Sequence, residues 1–89
     1  MLATKTTVRI MGREYNIKGE ESAEYIHRVA LFVNDKMAEI KKANTLLDAG
    51  DIGTLACINI ADEYLKIKDE AEALRKDLEK YKKAMAMRR

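Results

Sequence analysis

The chain has 89 residues, with 17 Lys plus Arg against 15 Asp plus Glu, for a formal net charge of +2. Charged residues make up 36% and apolar residues 47%, with no Pro, no Trp, one Phe, four Gly and one Cys. So small a basic surplus argues against a general nucleic-acid binder, which needs excess positive charge to release counterions; no apolar run is long enough to span a membrane, and a lone Cys cannot staple a domain, so a reducing cytoplasm is the expected setting.

The first eleven residues lack a continuous apolar segment, so no signal peptide is expected. A domain of this size buries only roughly 60–65% of its unfolded surface, and the four Tyr and one Phe supply few large core pieces. Self-association is the usual remedy. Residues 1–5 carry no pattern and read as a flexible tail. From Thr6 the chain alternates, with Val8 and Ile10 on one side and Thr7, Arg9 and Met11 on the other; Tyr15 and Ile17 alternate again after Gly12-Arg13. Two such runs around a Gly-X pair predict a β-hairpin with a type II′ turn and Arg13 at its exposed tip.

Ser22 is the expected N-cap of a helix, with Glu24 in its first turn where the dipole favours an anion. Ile26, Val29, Ala30, Val33, Met37 and Ile40 form one apolar stripe, widened by Tyr25 and Phe32, and the helix is expected to end near Asn44. Glu24, Arg28, Asn34, Asp35, Lys41 and Lys42 are assigned to the opposite face. In the connection that follows, Leu46 and Leu47 are expected to turn inwards, and Asp48 or Asp51 to cap the next helix.

That last helix is expected over 51–87, within a segment 51–89 that has no Pro and no Gly after Gly53. At 1.5 Å per residue it is a rod of roughly 54 Å, longer than a globule with a radius of gyration of about 12 Å can hold. Its first half, with Leu55, Ala56, Cys57, Ile58, Ile60, Ala61 and Leu65, is apolar on several faces and reads as buried. A heptad frame places Cys57, Tyr64, Ala71, Leu78 and Met85 at a, and Ile60, Ile67, Leu74 and Tyr81 at d. Glu63, Glu70 and Asp77 then fall at g, and Lys68, Arg75 and Lys82 at the e positions five residues on. This pattern suits a parallel, in-register dimer; antiparallel pairing and a four-helix assembly stay open. The fold class is thus α+β: a ββα head over 6–50 and a long dimerisation helix over 51–89 forming a dimeric coiled coil.

Signatures of catalysis are missing. The glycines at 12, 19, 50 and 53 form no phosphate loop. His27 is the sole His and reads as a surface residue; Cys57 reads as a small packed side chain rather than a nucleophile. Glu20-Glu21 and Asp62-Glu63 are neighbours that diverge by about 100° on a helix and make no catalytic pair. No cofactor and no metal are expected. Asn59 and Asp62, in the apolar half of the long helix, are expected to hydrogen-bond at the helix–hairpin junction.

Residues 8–17, VRIMGREYNI, resemble the opening strand–turn–strand of the ZapA family of bacterial cell-division accessory proteins, which shows an I-x-G-R-E-Y-like turn. Residues 55–65, LACINIADEYL, are similar to that family's L-A-A-L-N-I-A-D-E-L segment, and Glu24-Tyr25-Ile26 and Val33-Asn34-Asp35-Lys36-Met37 fit its first helix. The likeness runs in order over residues 6–70. Met11 stands where Phe is common in the family, and Gly53 and Thr54 where apolar residues are expected. The resemblance implies a non-enzymatic protein at the mid-cell division ring. It would bind FtsZ, the tubulin-like GTPase of that ring, and cross-link its filaments as a homodimer or higher oligomer. It also implies FtsZ contacts through Arg13, Lys41 and Lys42; two further charged positions of the family fall near Thr45 and Gly50, with Asp48 and Asp51 nearby. A generic coiled-coil adaptor for another protein is the alternative.

Overall fold

The computed structural model describes residues 3–88. Two strands, β1 (Thr4–Ile10) and β2 (Arg13–Gly19), are followed by helices α1 (Ala23–Ala43) and α2 (Ala49–Met87), the α+β architecture expected. The chain divides into two compact units, 1–58 and 59–89. The first turns of α2 bury Ile52 and Ala56 within the first unit.

The strands pair antiparallel, with Thr4 opposite Gly19 and Ile10 opposite Arg13. Of the tail expected over 1–5, residues 1 and 2 lie outside the described residues, as does residue 89 of the segment expected over 51–89; Thr4 and Lys5 belong to β1. Thr4 extends the ladder because its Oγ1 donates to the carbonyls of Gly19 at 3.1 Å and Glu21 at 2.6 Å. Directly opposed residues share a face, so Thr6, Val8 and Ile10 lie with Ile17, Tyr15 and Arg13. The helix α1 packs against β1, burying Thr6 and Val8 and half-burying Ile10. Tyr15 and Ile17 stay 43% and 38% exposed on the strand that α1 does not cover. On the other face Thr7 Oγ1 donates to Asn16 Oδ1 at 2.6 Å, and Arg9 lies 3.8 Å from Glu14.

The turn differs from expectation. Its two central residues are Met11 and Gly12, with φ of 50° and 79°. Positive φ at both positions is the type I′ pattern, whose twist matches the flanking strands, rather than type II′. Arg13 is consequently the first residue of β2, opposite Ile10, and not the tip. Met11, a residue that resists positive φ, is held there by its backbone N–H, which donates to Asn34 Oδ1 at 2.8 Å. Asn34 is half-buried on the inner side of α1, not on the outer face.

Ser22 caps α1 as expected: its Oγ accepts from the Tyr25 N–H at 3.1 Å. Ala30 is buried, and Ile26, Val33, Met37 and Ile40 are half-buried, while Val29 is 43% exposed. A small side chain at Ala30 lets the helix sit close to β1. After the C-cap Asn44, the Leu46 N–H bonds to Asn44 Oδ1 at 3.1 Å and the Leu47 N–H to Asn44 O at 3.3 Å. This tight turn points Leu46 outwards, 94% exposed, and only Leu47 inwards. Asp48, not Asp51, caps α2. Its Oδ1 accepts from the Asp51 N–H at 2.8 Å and its carbonyl from the Ile52 N–H at 3.0 Å, so the helix starts two residues early. Replacing Asp48 by Ala is expected to destabilise the protein by about 1 kcal/mol in urea unfolding.

The buried set is small: Thr6, Val8, Ala30, Ile52 and Ala56. Thr6 Oγ1 is buried without a hydrogen-bond partner. An orphaned hydroxyl forfeits its hydration for nothing. Thr6→Val, which keeps the β-branched shape, is therefore expected to raise stability by about 1–2 kcal/mol in the same assay.

Candidate functional site

Two surfaces carry the residues singled out by sequence. The first lies in unit 1. Met11 of the turn, Met37 and Lys41 of α1, Leu47 and Asp48 of the connection, and Ala49 and Ile52 of α2 line a hollow of about 250 Å³. Lys41 is half-buried at its rim. Its Nζ donates to the carbonyls of Thr45 at 2.8 Å and Leu47 at 2.9 Å. Those carbonyls follow the end of α1, where backbone acceptors lack helical partners, so Lys41 ties the connection down. Polarity alone sets it on the outer face with Lys42. The row Ala30, Asn34, Met37, Lys41, spaced by four, three and four, instead puts it on the inner one. Lys42 and Arg13 are exposed. Among the described residues neither has a hydrogen bond or ion pair, so both charges are available to a partner.

The second surface is the α2 stripe. Tyr64, Ile67, Leu74, Leu78, Tyr81 and Met85 are each 51–65% exposed; Cys57 and Ala71 are also exposed and Ile60 is half-buried. The apolar composition of the first half of the helix predicts burial nearly all round. Only the Ile52 and Ala56 side is buried, while Leu55 is 38% and Ile58 57% exposed, because a single chain offers nothing to cover the rest. Asn59 and Asp62 are likewise exposed rather than paired at a junction; Asp62 bonds Lys66 one turn on, at 3.0 Å. Arg75, at e, lies 3.4 Å from Glu72 and 3.9 Å from Glu79 on its own helix. Such exposed pairs are worth about 0–1 kcal/mol each and exchange partners readily.

Leu31, 60% exposed on the outer side of α1, has no role in the sequence reading, and Asn34 stands there only as an outer-face residue. The helical period places Asn34 in the row of Ala30 and Met37, so the signal was present. Among the described residues no group of three or more His, Cys, Asp or Glu is placed to hold a metal ion, and no helix is long and apolar enough to cross a membrane.

A sequence model of the family described as Cell division protein ZapA matches residues 6–88. Cell division protein ZapA of Geobacillus kaustophilus (strain HTA426) is 47% identical over 79 residues, covering 89% of this chain and 87% of its own length. That of Bacillus subtilis (strain 168) is 40% identical over 75 residues, covering 84% and 88%. The solved structure of a ZapA mutant dimer from Geobacillus stearothermophilus superposes with a TM-score of 0.73 at 42% identity, over 89% of this chain and 92% of that one. With the same hairpin, helix and long helix in the same order, and a family match over nearly its whole length, the chain belongs to the ZapA family of cell-division proteins.

Proposed function

We propose that the chain is a non-enzymatic accessory protein of the mid-cell division ring that binds FtsZ and cross-links its filaments as a homodimer. The observation that carries this reading is the uncovered apolar stripe of α2. Tyr64, Ile67, Leu74, Leu78 and Tyr81 stand 52–65% exposed along it, a contiguous apolar surface of the kind that marks an interaction face. A second copy laid along Cys57, Ile60, Tyr64, Ile67, Ala71, Leu74, Leu78 and Tyr81 would cover it. The dimer in the related solved structure supports this.

A dimer presents two copies of each head. Two weak contacts on neighbouring filaments then act as one strong bridge through effective concentration. Arg13 and Lys42, exposed and without a hydrogen bond or ion pair among the described residues, supply the charge for that contact, and Lys41 holds the connection after α1. The direct test is co-sedimentation with FtsZ filaments at low salt, with bundling followed by light scattering. Pelleting and bundling are expected. A dimer that never pellets with the filaments would overturn the FtsZ assignment and leave the generic coiled-coil adaptor.

A further inference from the structure

The end of α2 is charged unlike the rest of the chain. Residues 75–89 hold seven Lys and Arg against two acids, a net +5, while residues 1–74 carry a net −3. Arg75 and Lys82 lie at e positions of the heptad frame, where acids at g of a parallel second copy can meet them. Lys76, Lys80 and Lys83 have no such use. They recur at steps of four and three, so they stand on one line of the helix. By the helical period that line lies about 160° round from Leu74, Leu78, Tyr81 and Met85, and a second copy along the stripe leaves it open. All three lysines are exposed, and among the described residues none has a hydrogen bond or ion pair. The helix dipole does not account for them either. It acts on the last turn, and the last turn of α2 holds no basic residue. Met87, 85% exposed, continues the same line one turn on.

We infer that this line rests on the surface of an anionic lipid membrane, with the three ammonium groups among the lipid phosphates and Met87 in the layer just beneath them. Three features select a lipid surface over other polyanions. Asp77 and Glu79 lie about 70–90° to either side of the line. A flat surface touches the line alone, whereas a nucleic-acid strand or an acidic peptide that wraps the helix meets those carboxylates. The line offers no Arg fork, amide or aromatic ring of the kind that reads or stacks bases; its cations are lysines, point charges on long stems that reach headgroups while the helix lies lower. An exposed Met in line with them gains from the apolar side of the headgroup layer and from nothing in a phosphate backbone. The contact is adsorption, since among the described residues no helix is long and apolar enough to cross a membrane. In a parallel dimer the two copies turn this line to opposite sides, so one copy at a time meets a given surface.

The test is sedimentation of the full-length chain with vesicles and without FtsZ, so its outcome is independent of filament binding. The chain is expected to bind vesicles of equimolar phosphatidylglycerol and phosphatidylcholine at low salt, to release as added salt shortens the screening length, and to ignore pure phosphatidylcholine. Each Lys near an anionic surface strengthens binding about fivefold, so Lys76→Gln, Lys80→Gln and Lys83→Gln together should weaken it about a hundredfold. Met87→Ser should weaken it about fivefold. Lys5→Gln, Arg9→Gln and Lys18→Gln together remove the same charge from the hairpin and should change it less than about threefold. Circular dichroism and sedimentation equilibrium check that every variant keeps the wild-type helicity and mass. Failure to bind the anionic vesicles, equal binding to neutral ones, or equal losses in the two triple variants would overturn the proposal. Tighter binding to duplex DNA or to polyglutamate than to the vesicles at the same salt would also overturn it, by giving the line to a nucleic acid or an acidic protein.

Discussion

Replacing Ile67 and Leu74 together by Asp is expected to convert a dimer into single chains and to abolish filament bundling. Both side chains are about two-thirds exposed in one chain, so the folded chain gains little from them on its own. Covered by a second copy, each contributes about 1.5 kcal/mol at the low end of the range for an aliphatic side chain. The pair acts twice in a dimer, for about 6 kcal/mol in all. That corresponds to roughly four orders of magnitude in the dissociation constant. Carboxylates facing one another across the seam add repulsion. Sedimentation equilibrium should show the wild type near twice the 10.2 kDa of one chain and the variant at the single-chain mass over the same concentrations. Bundling is lost because a one-headed protein cannot bridge two filaments, even where each head still binds. A wild-type chain that stays at 10.2 kDa at every concentration would defeat this account of α2.

The second large effect separates two adjacent lysines. Lys41→Met removes the ammonium that donates to the Thr45 and Leu47 carbonyls at 2.8 and 2.9 Å. Charged hydrogen bonds of this kind are worth about 1.5–3 kcal/mol. With one of the two acceptors free to take up water, a net loss of about 2 kcal/mol is expected. For a chain of this length that lowers the Tm by roughly 8–16 °C, measured at fixed protein concentration because dimerisation shifts it too. Lys42→Glu, on an exposed side chain without partners, should change stability by less than about 0.5 kcal/mol while FtsZ pelleting falls sharply. Lys41→Met is expected to lose melting temperature and pelleting together. If it kept its Tm and lost pelleting alone, the Lys41 ammonium would be a direct contact and not a tie for the connection.

The contrast between these lysines also marks how far the sequence could be read. Strands, helices and caps were legible because they rest on local rules: alternation at Val8 and Ile10, Ser22 three residues before the amide it caps, and a helical stripe from Ile26 to Ile40. The segments around Gly12-Arg13 and Asn59 carried the family resemblance, and the family match over residues 6–88 agrees with it. Faces were harder. Asn34 and Lys41 are polar, so polarity set them on the outer side of α1, although their spacing from Ala30 and Met37 sets them on the inner one. Each is kept inside by a hydrogen bond to a backbone group that only the folded chain brings near: the Met11 amide and the carbonyls after α1.

Turn geometry and the fate of the apolar surface divide along the same line. Composition and period alone established an α+β chain with a long striped helix and too little core for its size, because these depend on which residues recur and how often. Tertiary structure decided that Met11 and Gly12 form the turn, that Leu46 faces water while Leu47 does not, and that only one side of the start of α2 is covered. Each of these depends on where one element lies against another, and a register shift of one residue reverses it. The apolar 47% counts what the chain has to bury; the folded head buries few of those residues, and much of the remainder faces water on a lone chain.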